Sequence, residues 1–203
     1  MFARATIFFD VGVQRDLWPG GAWPLITQPE AERVRRLLAV ADASAVRQAS
    51  VICCHGAADA GIEGAPRHCW SGEPGGERPE ECRGALARVV ITAGSAGSPD
   101  DPRACALASG CAGALDRGGR WSVAFDRLVG GVRDAVVFGA GLELGVDRVV
   151  RGLLARRVRT HVVLDAAGAV DAVAAQEVIA AWKRAGVDGT TVAMIERQLG
   201  ARS

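Results

Sequence analysis

Hydrophobic positions along the chain come in short runs separated by longer amphipathic stretches. Thr6 to Phe9 is β-branched and aromatic and is closed by Asp10, the pattern of a buried parallel strand with an acid at its carboxyl end. A loop with Pro19, Gly20, Gly21 and Pro24 follows. From Pro29 to about Ala49, Val34, Leu37, Leu38 and Ala41 recur at helical spacing, with Glu30, Glu32, Arg33, Arg35 and Arg36 on the other faces. Ser50 to Cys54 predicts a second strand, and residues 56 to 85, rich in Gly, Pro and charge, a long functional loop. Arg88 to Thr92 predicts a third strand.

Residues 93 to 119 have little periodicity, and order resumes near Trp121. Ala135 to Phe138 is a fourth strand. Gly139, Gly141 and Gly145 then lead into a helix carrying Val149, Val150, Leu153 and Leu154. Thr160 to Leu164 is a fifth strand ending at Asp165, Ala174 to Ala185 another helix, and Thr190 to Ile195 a sixth strand. Strands alternating with helices predict a doubly wound, mainly parallel α/β sheet with helices on both faces. The whole of 1–203 reads as one domain with an irregular insert at about 93–119. Ligands in such folds bind beyond the carboxyl ends of the strands. Asp10, the Cys53-Cys54-His55 run, Ala93 and the Gly139–Gly145 turn all fall at such ends.

Composition narrows the functions. The 203 residues carry 24 Lys+Arg against 23 Asp+Glu, a net charge of +1, and so offer no basic field for nucleic acid. No apolar run approaches the roughly 18 residues of a spanning helix, and the N-terminus passes directly from MFARATIFF to an acid, so a cytoplasmic protein without a membrane partner is expected. Tyrosine is absent, and Lys183 is the only lysine, with no glycine-rich turn before it to make a phosphate loop. The six cysteines (Cys53, Cys54, Cys69, Cys82, Cys105, Cys111) are expected to be reduced thiols or metal ligands rather than a disulfide framework.

Four stretches together resemble the isochorismatase-like superfamily of cysteine hydrolases, above all its nicotinamidase branch. They are Gln14-Arg15-Asp16-Leu17-Trp18-Pro19-Gly20-Gly21-Ala22 after Asp10; Pro66-Arg67-His68-Cys69 continuing to Pro74-Gly75 and Glu77; Val137 through Val146; and Thr160 to Val187. The resemblance implies the three-layer sandwich of that superfamily. It also implies chemistry that this chain departs from. In the family a cysteine attacks an amide, an aspartate takes its proton, and a lysine stabilises the charged pair. The matching positions here are Gly145, Asp10 and Ala93. Asp10 stands two residues further from Gln14 than usual, so that a gapless match would put Gly12 at the acid. Arg103 or Arg120 could restore positive charge. The resemblance further implies that the Ala140–Gly141 bond lies in a tight, often cis, turn and that the amides of Gly141 and Gly145 serve as oxyanion donors; the same glycines also suit plain strand-to-helix packing.

Where nicotinamidases hold a divalent ion with an Asp-x-His pair and a distant histidine, this chain has Cys53, His55 and His68. A thiolate and two imidazoles suit zinc better than manganese or magnesium and leave a fourth position open. The alternative is that Cys53 is a buried strand residue and the histidines ordinary loop residues. Cys54 reads as core and Cys69 as structural; His161, Cys82, Cys105, Cys111 and Asp165 favour packing roles. Trp18, Trp23 and Trp70 could wall a pocket for a flat ring or serve contacts between copies, since homo-oligomers are common in the family.

Three functions remain open. One is a divergent pseudoenzyme that binds a small molecule, aromatic or anionic, or a partner. The second is a non-covalent hydrolase of the isochorismatase type with Asp10 as acid. The third uses zinc hydroxide at Cys53, His55 and His68 with Asp10 as base.

Overall fold

A computed structural model describes residues 5–55, 65–83, 89–94 and 123–200. Its centre is a six-stranded parallel sheet in the order β3-β2-β1-β4-β5-β6. The strands are β1 (Thr6–Val11), β2 (Arg47–Cys54), β3 (Val89–Gly94), β4 (Asp134–Ala140), β5 (Arg159–Gly168) and β6 (Asp188–Thr190). Between them lie α1 (Gln28–Ala43), α2 (Val123–Val129), α3 (Asp147–Ala155), α4 (Ala172–Arg184) and α5 (Val192–Gly200).

The pleat sends alternate residues of each strand to opposite faces, and both faces are covered. Phe8, Val136, Phe138 and Val163 pack against Val34, Leu37 and Leu38 of α1 and Val192, Ile195 and Leu199 of α5. Ile7, Phe9, Val137 and Val162 pack against Phe125 of α2, Val149, Val150 and Leu153 of α3, and Trp182 of α4. This is the three-layer doubly wound architecture that the alternation of strands and helices predicts.

The first helix is shorter than its periodicity suggests. It starts in a capping box, with the Thr27 side chain and the Glu30 carboxylate satisfying each other's backbone N–H groups. It stops at Ala43 because Ala45 takes a left-handed conformation (φ 50°) that reverses the chain into β2. The expected sixth strand over Thr190–Ile195 is corrected: β6 ends at Thr190, and α5 begins at Val192. Two side chains force the change. Asp165 accepts the Val192 N–H (3.0 Å) and Thr191 the Met194 N–H (3.4 Å), capping a helix whose buried Val192, Ile195 and Leu199 have helical spacing.

The fifth strand runs on past Asp165 to Gly168, because a register shift between Val137 and Gly139 lets β4 and β5 continue pairing. Gly139 (φ 123°) is required there, since a Cβ would lie 2.0 Å from the Val11 carbonyl oxygen. Ala93 falls within β3, and residues 95–119 of the expected insert lie outside the described residues, as do Cys105, Cys111, Arg103 and Arg120. Among the described residues no helix is long and apolar enough to cross a membrane.

Candidate metal centre

Cys53 sits on the last turn of the pleat in β2 and His55 just beyond it. His55 pairs with Trp70 in an isolated parallel bridge: its N–H donates to the Cys69 carbonyl (3.1 Å) and its carbonyl accepts from Ser71 (2.9 Å). That bridge carries the Pro66–Trp70 segment alongside the end of β2 and delivers His68 to the same point. The Cys53 Sγ lies 2.9 Å from His55 Nε2 and 3.9 Å from His68 Nε2, and the two Nε2 atoms are 3.1 Å apart. A tetrahedral zinc with ordinary Zn–S and Zn–N bonds needs S···N separations of about 3.6 Å and N···N separations of about 3.3 Å. The two S···N separations lie on either side of the first value and the N···N separation lies just under the second, so the residues present fit such an ion. Both histidines are buried and Cys53 is half-buried.

Two neighbours fix the donors. His68 donates Nδ1–H to the Pro66 carbonyl at 2.7 Å, which turns Nε2 toward the cluster, where it donates to Cys53 when the ring is protonated and offers its lone pair to a metal when it is neutral. Gln14, fully buried, clamps the backbone of Cys53: its Nε2 donates to the Cys53 carbonyl and its Oε1 accepts the Cys53 N–H, both at 2.7 Å, while Nε2 also reaches the Gly76 carbonyl at 2.9 Å. The amide thus acts as one more rung on the edge of β2 and ties the strand to the Pro74–Gly76 turn.

The electrostatics follow from these contacts. The hydrogen bond from Cys69, opposed by burial and reinforced by those from His55 and His68, lowers the Cys53 thiol from 9.0 to about 3, so the sulfur is a thiolate. Its partner Cys69 is pushed the other way, by donating to Cys53, by burial and by the nearby negative charge of Cys53 and Asp16. At His68 burial pulls the pKa down, but hydrogen bonds to Cys53 and Pro66 and the charge of Cys53 outweigh it, leaving the imidazole more basic than usual.

Asp10 is occupied elsewhere. It pairs in register with Ser50, three residues short of Cys53 on β2. Its Oδ1 accepts from Arg78 Nη1 (2.7 Å) and its Oδ2 from Ser50 Oγ (2.9 Å), and Arg78 is itself fixed through Nε to the Cys82 carbonyl (2.7 Å). A cation therefore does reach this carboxylate, from within the loop that the sequence marks only as charged.

The remaining positions form no reactive group. Gly12 closes β1 in a left-handed conformation (φ 59°), with its N–H on the Val51 carbonyl (2.7 Å). Ala93 pairs in register with Cys53 across β2 and β3. Gly141 (φ 72°) turns the chain through a trans peptide into a π-helical turn over Leu142–Val146, and its carbonyl accepts from Leu144 and Val146. A Cβ on Gly145 would come within 2.9 Å of Val11 Cγ1.

The tryptophans separate. Trp23 lies against the His68 ring, with centroids 4.5 Å apart. Trp70 is covered by the Arg67 guanidinium at 4.3 Å. Trp18 is buried, donates to Glu81 at 2.9 Å, and borders a surface cleft with Arg15, Pro74 and Pro79 whose lining includes none of the three cluster residues.

Sequence reasoning missed Arg78 and Ser50 as partners of Asp10, Gln14 as the clamp on Cys53, and Cys69 as its hydrogen-bond donor. For Cys69 alone there was a signal, its place next to His68.

No protein-family model matches the chain, and no curated protein does. Solved structures do. A crystal structure of the pyrazinamidase of Pyrococcus horikoshii in complex with zinc is 18% identical over 92% of this chain and 99% of that one, with a TM-score of 0.68. An isochorismatase family protein from Desulfovibrio vulgaris is 17% identical over 97% and 99%, with a TM-score of 0.71. PnC1 from L. infantum, in complex with nicotinate, is 19% identical over 94% of each chain, with a TM-score of 0.68. The chain therefore shares the fold of these isochorismatase-like hydrolases.

Proposed function

We propose that this chain is a metal-centred, small-molecule-binding member of the isochorismatase-like fold that has given up covalent amide hydrolysis. The observation that carries the reading is the coincidence of two features at one end of the sheet. Three soft donors converge within bonding distance of a common point, while the position matching the nucleophile is a glycine abutted by Val11. Cys53, His55 and His68 would hold the ion, and a bound zinc supplies an electrophilic position open to one donor atom of a ligand. Gln14 holds Cys53 in place, Pro66 fixes the His68 tautomer, and Trp23 gives the site an aromatic wall. The zinc in the pyrazinamidase structure and the nicotinate in PnC1 support a divalent ion and a flat, anionic ligand class.

Engagement of both Asp10 oxygens by Arg78 and Ser50 weighs against the two hydrolytic alternatives, each of which needs Asp10 to move a proton. The test is direct. Chain equilibrated with zinc and freed of excess should retain one ion per molecule, His55→Ala and His68→Ala should retain none, and nicotinamide should yield no ammonia. Ammonia release that disappears in Asp10→Asn overturns the reading.

A further inference from the structure

We propose that Asp16 is the positioning residue for His55 and His68, holding the two imidazoles at the spacing an ion needs through its hydrogen bonds to Cys69 and Trp23. The metal half of this inference rests on the proposed metal centre; the hold of Asp16 on the histidine segment does not.

The lever is Cys69, which follows His68 and precedes Trp70, the bridge partner of His55. Its φ of 49° lies in the left-handed region that residues other than glycine seldom adopt. Relaxation of this one residue to an ordinary conformation would rotate His68 relative to the bridge and change its distance to His55. Both backbone groups of Cys69 are tied against that relaxation. Its N–H donates to Asp16 Oδ2 at 2.7 Å, a bond strengthened by the charge of the acceptor, and its carbonyl accepts the His55 N–H at 3.1 Å.

Asp16 acts on His68 from a second direction. Its backbone carbonyl accepts the Trp23 N–H (2.8 Å), and the Trp23 ring lies against the His68 ring with centroids 4.5 Å apart. The carboxylate is itself confined. A Cβ on Gly75 would land on it, so the Pro74–Gly76 turn can close over Asp16 only because position 75 has no side chain. Asp16 lies on the single 3₁₀ turn Arg15–Leu17, which the Arg15 N–H pins to the Glu77 carbonyl (2.8 Å). Gln14 immediately precedes that turn, so one short segment serves the whole donor set: Gln14 holds Cys53, and Asp16 holds the two histidines.

A carboxylate beside a metal centre acts either by its charge or by its place. Here the geometry points to place. Among the described residues the donors that can share one ion are Cys53, His55 and His68, without Asp16, whose Oδ2 is engaged by a main-chain N–H.

Two conservative variants separate charge from place. Asp16→Asn keeps an oxygen acceptor in the Gly75 cradle and removes the charge; Asp16→Glu keeps the charge and carries the carboxylate one methylene beyond the cradle. Zinc affinity is titrated against a competing chelator on the folded full-length chain, the thiolate-to-metal absorption of the cobalt(II)-loaded chain is recorded, and amide hydrogen exchange is followed without metal. Asp16→Asn should keep the native affinity and cobalt spectrum. Asp16→Glu should bind zinc about 10- to 100-fold more weakly, with an altered cobalt spectrum and faster exchange at the His55 amide. Native affinity in Asp16→Glu, or a loss in Asp16→Asn as large as in Asp16→Glu, overturns this inference and leaves the metal centre. A native chain that holds neither metal removes the metal centre and the metal half with it, and exchange then decides the other half. Faster exchange at His55 in Asp16→Glu but not in Asp16→Asn supports the hold of Asp16 on the segment, and equal exchange in all three chains overturns it.

Discussion

Arg78 Nη1 lies 2.7 Å from Asp10 Oδ1, and the pair is shielded, the carboxylate side chain being 2% exposed and the guanidinium 18%. The carboxylate is a structural anchor: it ties β1 to Ser50 of β2 and to the Arg78–Cys82 segment. Removing one partner of a buried pair strands the other's charge. Arg78→Ala should cost about 3–5 kcal/mol in urea unfolding, whereas a hydrophobic replacement of both partners, Asp10→Leu with Arg78→Met, should cost much less. Equal losses in the single and double variants would mean the pair does not hold this region together.

On the proposed reading, a thiol introduced at position 145 should not create amidase activity. The Cβ of Gly145→Cys would press on Val11 Cγ1 at 2.9 Å, and a β-branched side chain in a strand has little freedom to yield. The variant should lose about 1–3 kcal/mol from overpacking and release no ammonia from nicotinamide. Turnover above background in a simple ammonia assay would contradict the proposed loss of covalent amide hydrolysis.

Gln14 positions Cys53, and through it the proposed metal site. Its amide satisfies both backbone groups of Cys53, so Gln14→Ala leaves them orphaned in a buried place and should destabilise the fold by at least about 2 kcal/mol. Zinc affinity, titrated against a competing chelator on the fraction that remains folded, should fall about 10- to 100-fold. Unchanged affinity would separate the clamp from the metal centre.

Much of the fold was legible because periodicity survives in most of the elements that face the core. Val34, Leu37, Leu38 and Ala41 announce α1, and Thr6–Phe9 announce β1. It failed at α5, where the β-branched Thr190-Thr191-Val192 run masked a helix capped from Asp165, a residue distant in sequence. Cys53, His55 and His68 could be singled out only because spacing within a resemblance connects them, and a parallel bridge at His55 brings them together. Nothing local marks Arg78 as the partner of Asp10. Its loop carries many charges, and which of them turns inward is decided by the Cys82 carbonyl and the floor of the sheet.

Acidity should act on the metal-free protein chiefly through Cys53. Its thiol is depressed in the folded state to about 3 from the ordinary 9.0, so the thiolate stabilises the fold fully above the ordinary value and loses that contribution as pH falls toward 3. His68, raised by its partners, works in the opposite sense: its contribution is present below the ordinary imidazole value and is lost as pH rises through its folded one. In urea titrations the stability difference between the native chain and Cys53→Ser should therefore shrink from neutral pH downward and vanish near pH 3. A difference independent of pH would contradict the thiolate.

The most direct measurement is X-ray absorption at the zinc edge on the reduced, zinc-loaded chain. The account predicts one sulfur at about 2.3 Å, two imidazole nitrogens at about 2.0–2.1 Å and a light atom completing four-coordination. A shell of oxygen and nitrogen alone, or one with two sulfurs, would contradict it.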